Sequence, residues 1–105
     1  MGELRTAEVE DLLKVLVGIE DTDTAFAFFE DVLTIREIRE VSQRLQVARL
    51  LDEGKPYTAI EKLSGASATT IARVSKALNY GSGGYRAALD ILAAEKPAES
   101  AEAAE

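Results

Sequence analysis

Large apolar residues recur along this chain every three or four positions, the period of one buried helical face, and never settle into the alternation of a half-exposed strand. Val9, Leu12, Leu13, Leu16 and Ile19 mark the first such stretch, and Thr6 stands where its hydroxyl can cap the helix start. Glu8, Glu10 and Asp11 occupy the opening turn, where carboxylates suit the positive end of the helix dipole. Gly18 and the cluster Asp21-Thr22-Asp23 signal a break and a second start, leading into a short helix with Phe26, Phe29, Val32 and Leu33 on its apolar face. All three phenylalanines fall in this element, at the spacing of a core or subunit-interface face rather than of a ligand box.

Thr34-Ile35-Arg36-Glu37 has the spacing of a capping box, in which hydroxyl and carboxylate satisfy amides at a helix start. The helix that follows is expected to run about 19 residues, roughly 28 Å. Ile35, Ile38, Val41, Leu45, Ala48 and Leu51 form its apolar stripe, Arg36, Arg39, Glu40 and Gln43 its outer face, and Gly54 its stop. So long a helix in so small a chain is expected to find partners in a second subunit. Beyond Lys55 and Pro56 the pattern predicts a short helix near 58–64, a Gly65-Ala66 turn and a helix over 68–79. A Gly-rich break at 81–84 and a last helix over 85–94 follow, the latter carrying Tyr85, Leu89 and Leu92. The fold class is therefore all-α, with one domain over 1–94. Residues 95–105 hold no large apolar side chain and are expected to form a disordered acidic tail.

Composition removes most catalytic chemistry. The absence of Cys and His excludes thiolate nucleophiles, imidazole bases and the commonest metal ligands, so no enzyme is expected. The acidic residues lack the loop spacing of a calcium site, and Gly81-Ser82-Gly83-Gly84 lacks the preceding strand and following Lys-Ser/Thr of a phosphate loop. With no basic-then-apolar leader and no long apolar run, a cytoplasmic protein without a membrane partner is expected. The net charge of −7 argues against a nucleic-acid partner until its distribution is considered: −7 over residues 1–53, +3 over 54–94 and −3 over 95–105.

The basic stretch coincides with a helix-turn-helix pattern from Tyr57 to Asn79. Gly65 supplies the turn, Ser67 caps the second helix, and Ile60, Leu63, Ile71, Val74 and Leu78 are the expected apolar wedge. The opposite face presents Thr69, Thr70, Ala72, Arg73 and Lys76. Small and hydroxylated side chains allow close approach to a major groove, Arg can pair bidentately with guanine, and Lys can reach phosphate. Main-chain amides at Ala66, Ser67 and Ala68 are candidate phosphate donors, and Lys55, Tyr57, Thr58 and Lys62 are candidate backbone contacts from the first helix. The leading function is a sequence-specific, double-stranded-DNA-binding regulator. The alternative is a dimeric interaction module of the transcription machinery without its own sequence readout.

Motifs spread over the whole chain point further. Leu4-Arg5-Thr6, Phe28-Phe29-Glu30-Asp31, Leu33-Thr34, Gln43-Arg44-Leu45, Leu50-Leu51 with Gly54, Gly65-Ala66-Ser67, Thr70-Ile71-Ala72-Arg73-Val74 and Leu78-Asn79-Tyr80-Gly81 with Gly84-Tyr85 together resemble the Trp repressor family, in its YerC/YecD-type branch. The resemblance implies a six-helix fold whose outer helices interlock in a homodimer, and a repressor that reads a pseudo-palindromic operator with half-sites about one helical turn apart. It also implies an effector site at Thr34, Arg44 and Arg73, where tryptophan-responsive members hold the amino acid between two Arg side chains. Val74 stands where those members have Gly and Ala77 where they have Ser, which counts against tryptophan as co-repressor and leaves any small-molecule effector unknown. Arg73 has the competing reading of a DNA or carboxylate partner, and Arg44 that of a packing or pairing residue.

Overall fold

The computed structural model describes residues 4–95, and the expected tail at 95–105 lies, from residue 96, outside them. Six α-helices, and no strand among the described residues, run in the order α1 (Ala7–Gly18), α2 (Thr22–Val32), α3 (Ile35–Asp52), α4 (Tyr57–Ser64), α5 (Ala68–Tyr80) and α6 (Gly84–Ala93). The chain divides into two compact units, Met1–Arg39 and Glu40–Glu105, with the boundary inside α3.

In the first unit, local capping fixes every helix start. The Thr6 hydroxyl accepts the Val9 amide at 3.3 Å, and Arg5 pairs with Glu10 in the following turn. Asp21 caps α2 by accepting the Thr24 amide at 2.7 Å and the Thr24 hydroxyl at 3.0 Å. These bonds, the backbone one first, hold the Asp21 carboxyl below its ordinary value of 3.8, so its contribution to α2 is present above that pH and is lost as pH falls through the lowered value. At α3 the capping box is complete: the Thr34 amide donates to Glu37 at 2.9 Å and the Glu37 amide to the Thr34 hydroxyl at 3.1 Å. Yet α1 and α2 contain no buried residue, and Val17, Phe26, Val32 and Ile35 are 86%, 56%, 56% and 70% exposed. Phe26, Leu33, Ile35 and Ile38 line an apolar groove of about 450 Å³ edged by Glu30 and Arg39. The apolar stripes predicted from sequence are present here but uncovered within one chain.

The second unit holds the core: Val47, Ala48, Ile60, Ala66, Ile71, Val74 and Leu89. Helix α3 ends in a Schellman motif, the Gly54 amide donating to Leu51 at 3.0 Å and the Lys55 amide to Leu50 at 3.2 Å, with Gly54 at φ +84°. Helix α5 packs on both α4 and α6. Arg86 on α6 reaches back to Asp52 at 2.5 Å and lies 3.7 Å from Asp90. The Asp52 contact, foremost, raises the guanidinium's already high pKa.

Three packing expectations need correction. Leu63, assigned to the wedge, is 58% exposed, and Ala66 takes its place at 5% because the turn folds Ala66 under the helix pair. Gln43, assigned to the outer face of α3, is half-buried and donates its side-chain amide to the Ser64 carbonyl at 3.1 Å. Val47, absent from the expected stripe, is fully buried, whereas Val41 is 48% exposed.

Candidate nucleic-acid interface

The turn between α4 and α5 is built from its own polar groups. The Ser64 hydroxyl donates to the Ile60 carbonyl at 2.6 Å and accepts the Ala66 amide at 3.1 Å. Gly65 then reverses the chain at φ +76°. A Cβ there would meet only Gln43 Nε2 at 3.9 Å, so the need for glycine is conformational rather than steric. Replacing Gly65 with Ala is expected to lower stability by about 1–2 kcal/mol, read as a shift in the urea midpoint, with Asn costing less.

Ser67 opens α5 as anticipated, accepting the Thr70 amide at 3.1 Å and donating to the Thr70 hydroxyl at 3.2 Å. On the far side of the helix Ile71 and Val74 are buried, 0% and 3% exposed, which pins α5 against the core. Thr69, Ala72, Arg73 and Lys76 are exposed, at positions related by three and four residues and therefore on one face. Thr70 is half-buried and lies apart from that set, lining a cavity with Arg44, Arg73, Val74, Ala77 and Tyr85. Thus Arg44 and Arg73 do share a site, while the Thr34 hydroxyl and amide are engaged in the α3 capping box.

Charge placement distinguishes these helices from the preceding ones. Glu8 and Glu10, Asp23, and Glu37 sit in the first turns of α1, α2 and α3, but the first turns of α4 and α5 carry no acid. No first-turn carboxylate offsets the positive dipole ends of α4 and α5. On α4, Thr58 and Lys62 line one shallow site with Ala59, and Tyr57 is 43% exposed beside exposed Lys55. The Ala66 amide is taken within the turn, leaving Ser67 and Ala68 as the main-chain candidates. Sequence reasoning missed Gln43 and Ser64, whose bonds set the turn. Their only sequence signal was position, one on the helix before and one just ahead of the turn glycine.

Among the described residues no His, Cys, Asp and Glu group could hold a metal, and no helix is long and apolar enough to cross a membrane. A short α4, a glycine turn and an α5 with a small, polar and cationic outer face define a helix-turn-helix protein of the DNA-binding regulator class. The Trp repressor protein model matches residues 7–93, and the chain belongs to that family, one of helix-turn-helix DNA-binding regulators rather than enzymes. The Bacillus subtilis protein YerC, itself uncharacterized, is 44% identical over 90 residues, 86% of each chain. A crystal structure of a TrpR-like protein from Eubacterium eligens superposes with a TM-score of 0.84 at 42% identity, covering 91% of this chain and 99% of its own. A second solved structure, from Staphylococcus aureus, gives a TM-score of 0.83 at 38% identity, covering 90% and 95%.

Proposed function

We propose that this protein is a transcriptional repressor that reads a pseudo-palindromic operator as a homodimer. The observation that carries this reading is the outer face of α5, where Thr69, Ala72, Arg73 and Lys76 stand exposed on a helix braced from behind by Ile71 and Val74. Small side chains at 69 and 72 let the helix backbone approach base edges, and a threonine methyl can meet a thymine methyl. Arg73, Thr70 and Lys76 supply cationic or hydroxyl donors, and Ser67 and Ala68 supply amides at the helix start. Lys55, Tyr57, Thr58 and Lys62 would engage the phosphate backbone from α4.

The homodimer is supported by the uncovered apolar faces of α1, α2 and the start of α3, which exceed the scattered exposure usual for a monomer. Val74 is buried among core side chains and Ala77 brings no polar atom to its cavity, so tryptophan is not proposed as a ligand and the reading needs none. The test is duplex-DNA affinity across a salt series. Log K is expected to fall linearly with log salt at a slope of about −0.9 per phosphate neutralised. Absence of duplex binding at low salt would instead favour the interaction-module reading.

A further inference from the structure

We propose that the acidic segment after α6, residues 95–105, docks on the outer faces of α4 and α5 and masks them, so that duplex DNA must displace the chain's own carboxylates. This rests on the DNA-binding reading above. The segment holds Glu95, Glu99, Glu102 and Glu105 against Lys96 alone, a charge of −3, whereas residues 54–94 carry +3. It follows the family-matched region, which ends at residue 93.

The place where α6 ends brings the two charges within reach. Leu89, Leu92 and Ala93 line one pocket with Arg49, Asp52 and Glu53, so the chain leaves α6 beside the last turn of α3. Lys55 follows Glu53 by two residues, and α4 begins at Tyr57. Helix α5, which packs on both α4 and α6, has 13 residues and is about 20 Å long. The chain from Lys96 to Glu105 can span up to about 33–36 Å, enough to pass along α4 and meet Arg73 and Lys76. The receiving face is open to it. Lys55, Lys62, Arg73 and Lys76 are exposed and make no ion pair among the described residues, while Arg86, the remaining cation of 54–94, is held by Asp52. Glu61 is the one carboxylate on α4 and α5. Each exposed pair formed this way is weak, but a tethered segment acts at an effective concentration on the order of millimolar, and its four carboxylates can engage several cations together.

The experiment compares the full chain with its Glu99→Gln/Glu102→Gln/Glu105→Gln variant, by amide NMR shifts without DNA at low and high salt and by duplex affinity over a salt series. Without DNA, shift differences between the two are expected across 55–62 and 67–76 at low salt, vanishing at high salt as screening removes the contact. The variant should bind duplex about 3–10-fold more tightly at low salt, with the gap closing as salt rises. Shift differences confined to 95–105 would overturn the masking even if affinity rises, because the segment would then only repel DNA at a distance. Equal duplex affinity of the two proteins at low salt would overturn it as well. Failure of both to bind duplex would remove the DNA-binding reading and the masking with it, and the DNA-free shifts would still decide whether the segment touches α4 and α5.

Discussion

Replacing Ile71 with Ala is expected to remove about 2–5 kcal/mol of folding stability. Ile71 is 0% exposed and sits on α5 in the small core with Val47, Ala48, Ile60 and Val74. Truncation leaves a cavity on the inner face of α5, into which the packed side chains of α3, α4 and α6 can collapse only in part. A domain of this size has about 5–15 kcal/mol in total, so the loss would lower the urea midpoint severely and, at assay temperature, release α5 from its seat. Ile71→Val should cost only about 0.5–1.5 kcal/mol. An Ala variant within 0.5 kcal/mol of wild type would mean that α5 is held by something other than this core.

The largest expected effect on DNA binding comes from Ala72→Glu. Ala72 is exposed at the centre of the α5 outer face, and no partner would be lost on replacement. In the proposed DNA complex a carboxylate there would face phosphates and base edges, and like-charge juxtaposition in an interface costs several kcal/mol. Affinity is therefore expected to fall by about 100-fold or more, with stability changed by less than roughly 0.5 kcal/mol, as for other surface substitutions. Equal DNA binding by this variant would place the contact surface elsewhere.

Which features were legible from sequence follows from the range of the forces involved. Thr6, the Thr34–Glu37 pair and Ser67 act within three residues of the amides they satisfy, so each cap could be placed from sequence alone and each is formed, while the Asp21-Thr22-Asp23 cluster marked a helix start at which Asp21 is the cap. Gly54 and Gly65 were legible for the same reason, because their conformations are local requirements. Periodicity identified helix faces but could not say what covers each face. Ile35 and Val41 belong to the apolar stripe of α3 yet remain 70% and 48% exposed, while Val47 is buried. Gln43 reads as a surface residue by polarity alone; its half-buried place depends on where the α4–α5 turn docks, a contact between residues far apart in sequence.

The candidate site divides in the same way. Once Ile71 and Val74 were assigned inward, helical geometry left Thr69, Ala72, Arg73 and Lys76 on the other face. The cavity that joins Arg44 to Arg73 is tertiary: sequence placed both residues near a ligand only through the family resemblance. Its small volume, its lack of a carboxylate and the inward position of Thr70 emerged from the packing of α3, α5 and α6.

The measurement that tests the central claim most directly is selection of duplex DNA from a random pool by the purified full chain, with its solution mass recorded on the same sample. Enrichment of a two-fold-related motif by a protein with twice the mass of the 11.3 kDa chain is the predicted result. A protein that enriches no sequence in the absence of any added ligand would contradict it.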